Sequence, residues 1–246
     1  MLFGESMKVV FSKKFFEVYT SDPAAAQGRM EAIINELRDY EIVEPEKAEE
    51  EDVLLVHTKR HYEWVRSLSL FEIAMLAAGG AIKAALISTE EPAFAAVRPP
   101  GHHASPDSCW GFCYFNNVAI AVRKLQKLGV VKRAAIVDFD LHFGDGTANV
   151  FEGDKSVEYF HMKDVESVAE FLEKADFDVV AVSAGFDRHR EDWGNQLETE
   201  DYTEIGKIIK EYAEDKCDGR RFAVLEGGYN HAVLGKNVRA FIKGFE

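Results

Sequence analysis

Cysteine is scarce in this chain: Cys109, Cys113 and Cys217 are the only three in 246 residues. An odd number in a chain this long is not a disulfide framework and suits a reducing compartment, so a cytoplasmic location is expected. Positive charge is also in short supply. Lys plus Arg number 29 against 43 Asp plus Glu, a formal net charge of −14. Such a surface repels a polyanion, so nucleic acid is not an expected partner. Long apolar runs are missing too. The opening MLFGESMKVVFSKKFF is interrupted by Glu5, Lys8, Lys13 and Lys14 and has no apolar core of signal-peptide length. The most apolar stretch, Phe71 to Ile87, contains Glu72, Lys83 and the Gly79-Gly80 pair. It reads as a buried helix rather than a membrane span, so no membrane partner is expected. No repeat or low-complexity linker appears, and the acidic Glu44–Asp52 stretch, read as a solvated loop, is too short to separate domains. One domain over residues 1–246 is expected.

What the chain does have is 47% hydrophobic residues, enough for a substantial core. Short β-branched runs alternate with helical patterns. Strands are predicted near Lys8–Phe11, Asp52–Val56, Ala93–Val97, Ala134–Asp140, Val157–His161, Asp178–Ser183 and Arg221–Leu225. Helices are predicted over Ala24–Leu37, Arg60–Ser67, Phe71–Ser88, Asn116–Leu128, Val165–Lys174, Asp201–Glu214 and His231–Phe245. Runs such as AAIVDFD and DVVAVSAGF stay apolar until their last residues, as strands covered on both faces do. The alternation implies βαβ units and an α/β fold with a mainly parallel central sheet flanked by helices.

In open α/β sheets ligands bind outside the carboxyl ends of the strands, which directs attention to polar residues that follow apolar runs. Asp138, Asp140, His142 and Asp145 lie at one such end and in the turn after it. In an extended segment Asp138, Asp140 and His142 would point to one side and could present several ligands to one cation. Capping and turn chemistry is the alternative for such a segment. Asp187 ends another apolar strand. With Asp140 and His142 it would make two carboxylates and one imidazole, leaving a fourth position open on zinc as in catalytic sites. His102 and His103 form a tandem pair in a loop stiffened by Pro99, Pro100 and Pro106. They are candidates for general base and acid, with Asp138 and Asp145 setting their tautomers. Tyr229 follows Gly227-Gly228 after the last strand; its phenol could donate to a carbonyl as negative charge develops there. His57 and His61 have helical spacing but no HExxH glutamate, and structural roles are expected for them. The cysteines form no CxxC pair.

These residues sit in blocks, RPPGHHASPDSCWGFCYFNNVAIAV, DFDLHFGDGT, SAGFDRHREDWG and LEGGYN, which resemble the signature blocks of the histone deacetylase family, closest to its class II and prokaryotic branch. The resemblance runs from His57 to the end. It implies a single-domain, arginase-like three-layer fold. It also implies zinc ligands Asp140, His142 and Asp187, with ferrous iron as the other candidate metal. His102 and His103 become the base and electrostatic pair, partnered by Asp138 and Asp145, and Tyr229 the carbonyl-polarising phenol. Gly111 and Phe112 would line an acyl-lysine tunnel that Gly227 and Gly228 help to shape, and Arg29 resembles an arginine near the internal channel. A structural potassium ion is implied at Asp138, Asp140 and His142 with Tyr159 and Phe160. The chain departs from the family pattern at Phe143, and again after His161, where a long loop that supplies an aromatic tunnel wall is missing. A wider pocket, or one closed by something else, is therefore expected.

The expected chemistry is removal of acetyl groups from N-acetylated amines: acetyl-lysine peptides, acetylpolyamines or similar small amides. Two competitors remain. A binuclear manganese ureohydrolase needs carboxylates where this chain has Gly144 and His189, and a non-catalytic acetyl-ligand-binding module needs no proton shuttle.

Overall fold

The apolar runs form the middle of a seven-stranded sheet in the computed structural model, which describes residues 7–246. The reading of residues 1–6 as part of a non-signal N-terminus lies outside them. The strands are β1 (Lys8–Val10), β2 (Glu41–Val43), β3 (Ala93–Ala95), β4 (Ala134–Asp138), β5 (Val157–His161), β6 (Val180–Ala184) and β7 (Arg221–Leu225). They lie in the order β2-β1-β3-β7-β6-β4-β5, and every neighbouring pair is parallel. The inner strands β3, β7, β6 and β4 are buried along their whole length, which is why they read as near-continuous apolar sequence.

The helices are α1 (Arg29–Glu36), α2 (Glu50–Val53), α3 (Lys59–Arg66), α4 (Phe71–Ile87), α5 (Asn117–Lys127), α6 (Asp145–Val150), α7 (Val165–Lys174), α8 (Thr199–Lys216) and α9 (His231–Phe245). One layer is built by α9 against α1 and α8, with α7 on α8; the other is built by α4 against α5, β1, β3 and β7. Phe241 of α9 meets Phe94, Phe139 and Phe186 from three separate sheet segments. Truncating a fully buried Phe of this kind typically removes about 3–5 kcal/mol. Among the described residues no helix is long and apolar enough to cross a membrane.

Besides the short helix α6, which the sequence reading did not predict, three segments differ from it. Residues 52–56 are not a strand. Glu49 and Asp52 form a capping box that starts α2, whose last residue Val53 is buried, and in the turn that follows Val56 is buried while Leu54 faces out. The strand at that edge is β2, short and mostly exposed, and therefore lacking any apolar run. The predicted Ala24–Leu37 helix is split: Pro23–Ala25 makes a single 3₁₀ turn, and α1 begins only after Gly28, whose φ of +88° breaks the helix.

Chain order and sheet order diverge at one place that matters. The chain passes from β3 to β4 and leaves a gap that β7 and β6 later fill. Four strand ends distant in sequence thereby become neighbours, at the kind of switch point where α/β sheets bind ligands.

Candidate active site

At the end of β4 the three acidic-block residues do not converge by strand alternation, because the strand stops at Asp138. Two Asx turns bend the chain instead. Asp138 Oδ1 accepts from the Asp140 amide at 3.1 Å, and Asp140 Oδ1 from the His142 amide at 2.9 Å. The bend separates the side chains by role. Asp138 turns to His102, while Asp140 and His142 meet Asp187, which follows β6.

His142 Nδ1 lies 3.1 Å from Asp140 Oδ1 and 3.2 Å from Asp187 Oδ2. Ligand atoms of the three residues all fall within 4.8 Å of one another. Asp187 Oδ2 is buried and has no hydrogen bond of good geometry. Gly227 brings backbone against this cluster, its amide donating to Asp140 Oδ2 at 2.8 Å. A Cβ at Gly227 would fall 2.5 Å from that oxygen and 2.8 Å from Asp187 Oδ2, so only glycine closes the cradle. The adjacent Asp140 and Asp187 carboxylates push the His142 pKa up to about 10, and burial followed by the Asp140 charge pushes Asp187 up to about 6. Concentrated negative charge, an unpartnered buried oxygen and a mixed carboxylate–imidazole donor set fit a divalent cation of the zinc or ferrous class.

The tandem histidines come from the loop after β3. His102 Nδ1 is 3.0 Å from Asp138 Oδ2, which also accepts from the Tyr159 hydroxyl at 2.9 Å. His103 Nδ1 is 2.6 Å from Asp145 Oδ1 at the start of α6. Trp110 Nε1 donates to the other Asp145 oxygen at 2.8 Å. Burial alone would lower the His102 pKa, but the Asp140 and Asp138 carboxylates outweigh it and hold it well above its ordinary value. His103 is lowered, first by burial and then by its neighbour His102, against the pull of Asp145.

The loop is anchored in part by a residue that the sequence reading did not single out. Glu226 is fully buried at the end of β7, and its Oε2 accepts from the amides of Gly101 at 2.7 Å and His102 at 3.2 Å. It ends an apolar strand just as Asp138 and Asp187 nearly do, and the same strand-end rule could have found it. His57 spans two parts of the loop, Nδ1 donating to Ser105 O at 3.0 Å and Nε2 accepting from the Asn116 amide at 2.9 Å. His61 Nε2 donates to Tyr114 O at 2.8 Å. Both histidines are structural, as expected. Arg29 caps the opposite side, donating to Gly228 O at 2.8 Å and Glu226 O at 2.6 Å.

Around these groups lies a pocket of about 120 Å³ lined by His102, His103, His142, Gly111, Phe112, Gly227 and Tyr229, with Pro100, Trp110 and Trp193. Gly111 has φ +60°, and a Cβ there would lie 2.4 Å from the His103 ring. Tyr229 meets Phe112 edge-on at 6.0 Å and stacks on Trp193 at 4.0 Å. Trp193 thus forms an aromatic wall, while the segment after His161 runs directly into α7. Trp110 covers His103 at 3.9 Å on the other side.

Near the implied potassium position several of the expected oxygens already have protein partners. The β4–β5 pairing sets Asp138 opposite His161, two residues beyond Tyr159. Tyr159 contributes a hydroxyl to Asp138, and the Phe160 ring stacks on Phe171. The carbonyl of Asp138 accepts from the Met162 amide at 2.8 Å, and that of Asp140 from Arg188 Nε at 3.0 Å.

An all-parallel sheet whose carboxyl ends present a buried carboxylate–imidazole–carboxylate cluster beside two His–Asp pairs describes a hydrolase of the metal-dependent α/β class. The histone deacetylase domain model matches residues 24–169 and 161–245. A probable deacetylase of Archaeoglobus fulgidus is 34% identical over 86% of this chain and 74% of its own length. A probable deacetylase of Methanothermobacter thermautotrophicus is 30% identical over 89% of this chain and 84% of its own. The crystal structure of the HDA15 HD domain superimposes with a TM-score of 0.86 at 25% identity, over 97% of this chain and 88% of that one. The chain belongs to the histone deacetylase family, a family of amide-bond hydrolases.

Proposed function

We propose that this protein removes acetyl groups from N-acetylated cationic amines, such as acetyl-lysine peptides or acetylpolyamines, at the pocket bounded by Trp110 and Trp193. The observation that carries this reading is that the Asp140–His142–Asp187 cluster meets, through His142, a narrow pocket that His103 and Tyr229 also line. Asp140, His142 and Asp187 would hold the divalent metal. When bound, it supplies Lewis-acid polarisation of a carbonyl and acidifies water.

The chain's own groups divide the remaining work. His103 directs Nδ1–H to Asp145, which leaves the Nε2 lone pair to take a proton from water and return it to the leaving amine. His102, whose proton affinity the Asp140 and Asp138 carboxylates raise, would donate or lend positive charge beside the reacting carbonyl. Tyr229, whose pKa burial raises well above its usual value, stays protonated as a hydrogen-bond donor to the carbonyl oxygen. Phe112 and Trp193 exclude water from the acyl chain.

The preference for cations follows from the net charge of −14 and from exposed tryptophan faces at the mouth, 55% for Trp110 and 52% for Trp193. A two-metal ureohydrolase is disfavoured. Gly144 offers no ligand, and His189 is turned away to the Glu191 amide, the Thr199 hydroxyl and the Tyr202 ring. The test is acetate release from an acetyl-lysine peptide and an acetylpolyamine. It should be abolished by a chelator, restored by zinc or ferrous iron, and slowed by added salt. Full activity in both Tyr229→Phe and His103→Ala would overturn the assignment.

A further inference from the structure

Arg188 directly follows Asp187 and is only 6% exposed. Its hydrogen bonds all go to neutral groups. Nε donates to Phe139 O at 3.1 Å and Asp140 O at 3.0 Å, while Nη2 donates to Met162 O at 2.7 Å and reaches His161 Nε2 at 2.8 Å. Nη1 donates to Gln196 Oε1 at 2.9 Å. A buried charge is costly unless something compensates it. Here three backbone carbonyls point their negative ends at the guanidinium, and two of the carbonyls belong to the bend that carries Asp140 and His142. A shell of carbonyl oxygens is also how proteins replace the hydration of a monovalent ion. The difference is that a guanidinium fixes its donors in a plane, whereas an ion accepts any direction.

We propose that the Arg188 guanidinium is the fixed structural cation behind the metal-ligand cluster, standing where the family resemblance leads one to expect potassium, and that this protein therefore needs no potassium. Arg188 acts as a positioning residue. It grips the Asp140–His142 bend from below and ties it to the end of β5 through Met162 and His161. Its own carbonyl accepts from the amides of Gln196 and Leu197, each at 2.9 Å, so the loop carrying Trp193 is fastened to the same point. A potassium ion could hold the bend but not that loop.

The experiment compares thermal midpoints of the full chain, with and without divalent metal, in potassium, sodium and choline chloride at equal ionic strength. Acetate release is followed in parallel. The wild-type midpoint is expected to be the same in all three salts. Arg188→Ala is expected to melt lower by about 5 °C or more in choline chloride, with part of the loss regained in potassium chloride. A wild-type midpoint that rises saturably with potassium relative to choline would overturn the proposal, as would an Arg188→Ala protein as stable as the wild type. If Arg188→Ala does not fold, the wild-type salt comparison decides alone. The acetate arm rests on the deacetylase reading and the midpoints do not, so failure of one is distinguishable from failure of the other.

Discussion

The two His–Asp pairs sit side by side, with the histidine rings 4.1 Å apart, yet they are built for opposite conditions. In the inner pair both side chains are buried, 4% exposed for His102 and 0% for Asp138. Its carboxylate is saturated by His102, the Tyr159 hydroxyl and the Asp140 amide. In the outer pair the Asp145 side chain is 38% exposed and is braced by Trp110. Two carboxylates raise the pKa of the inner imidazole, whereas burial and its neighbour lower that of the outer one. Adjacent residues of one sequence thus acquire opposite pKa shifts from their surroundings alone.

The sharpest way to break this division is to remove each ring. His103→Ala is expected to lower the acetate-release rate by about 10²–10⁴-fold, the usual scale of lost general-base catalysis, with a thermal midpoint close to wild type. His102→Ala is expected to lose both rate and stability, because it strands the buried Asp138 charge. If both variants keep their midpoints, the inner pair has no structural role beyond that of the outer. The carboxylates make the same contrast at smaller amplitude. Breaking a buried charged pair costs about 3–5 kcal/mol, whereas a partly exposed one contributes about 1 kcal/mol or less. Urea denaturation should therefore place Asp138→Asn well below Asp145→Asn, and equal midpoints for the two would contradict the burial argument.

The same contrast explains what was legible beforehand. Asp138, Asp140, His142 and Asp187 were visible because each breaks or follows an apolar run, and that rule located the cluster without any contact information. The inner sheet was visible for the same reason, strands buried on both faces having no polar alternation. The bracing was not. Arg188 and Asn116 look in sequence like ordinary polar residues of a loop and a helix end, and the sheet order shows that their partners lie beside them; for His57 a structural role was legible but its partners were not. β2 escaped because an exposed edge strand needs no apolar run, and residues 52–56 misled because two buried valines, one ending α2 and one in the turn after it, resemble a short strand. Trp193 was in plain sight, but its place against Tyr229 depends on the loop that Arg188 fastens.

The bracing beneath the inner pair is tested through pH. His57 keeps one nitrogen as donor to Ser105 and the other as acceptor from the Asn116 amide, so protonation would break the second bond. Burial, followed by the nearby His61, depresses its pKa from 6.5 to about 3. Below 6.5 the unfolded chain binds a proton that the folded chain refuses. Its contribution to stability is therefore complete above about 6.5 and falls as pH drops toward 3, by up to about 1.4 kcal/mol per pH unit. Urea midpoints measured downward from neutral pH should decline less steeply in His57→Gln than in wild type; parallel curves would mean that His57 protonates in the folded state.

The smallest predicted change concerns the outer pair. Trp110 both donates to Asp145 and covers the His103 ring, and Trp110→Phe removes the first function while keeping an aromatic face. Losing one hydrogen bond to a carboxylate of that exposure is worth about 1 kcal/mol, roughly a fivefold loss in rate if Asp145 acts only by orienting His103. Because the freed carboxylate becomes a better partner for a protonated imidazole, the acidic limb of the kcat/KM profile should move to higher pH. A fivefold loss with no shift of that limb would mean that Trp110 serves the acyl chain and leaves the base untouched. The outer pair would then owe its lowered proton affinity to burial and to His102 alone.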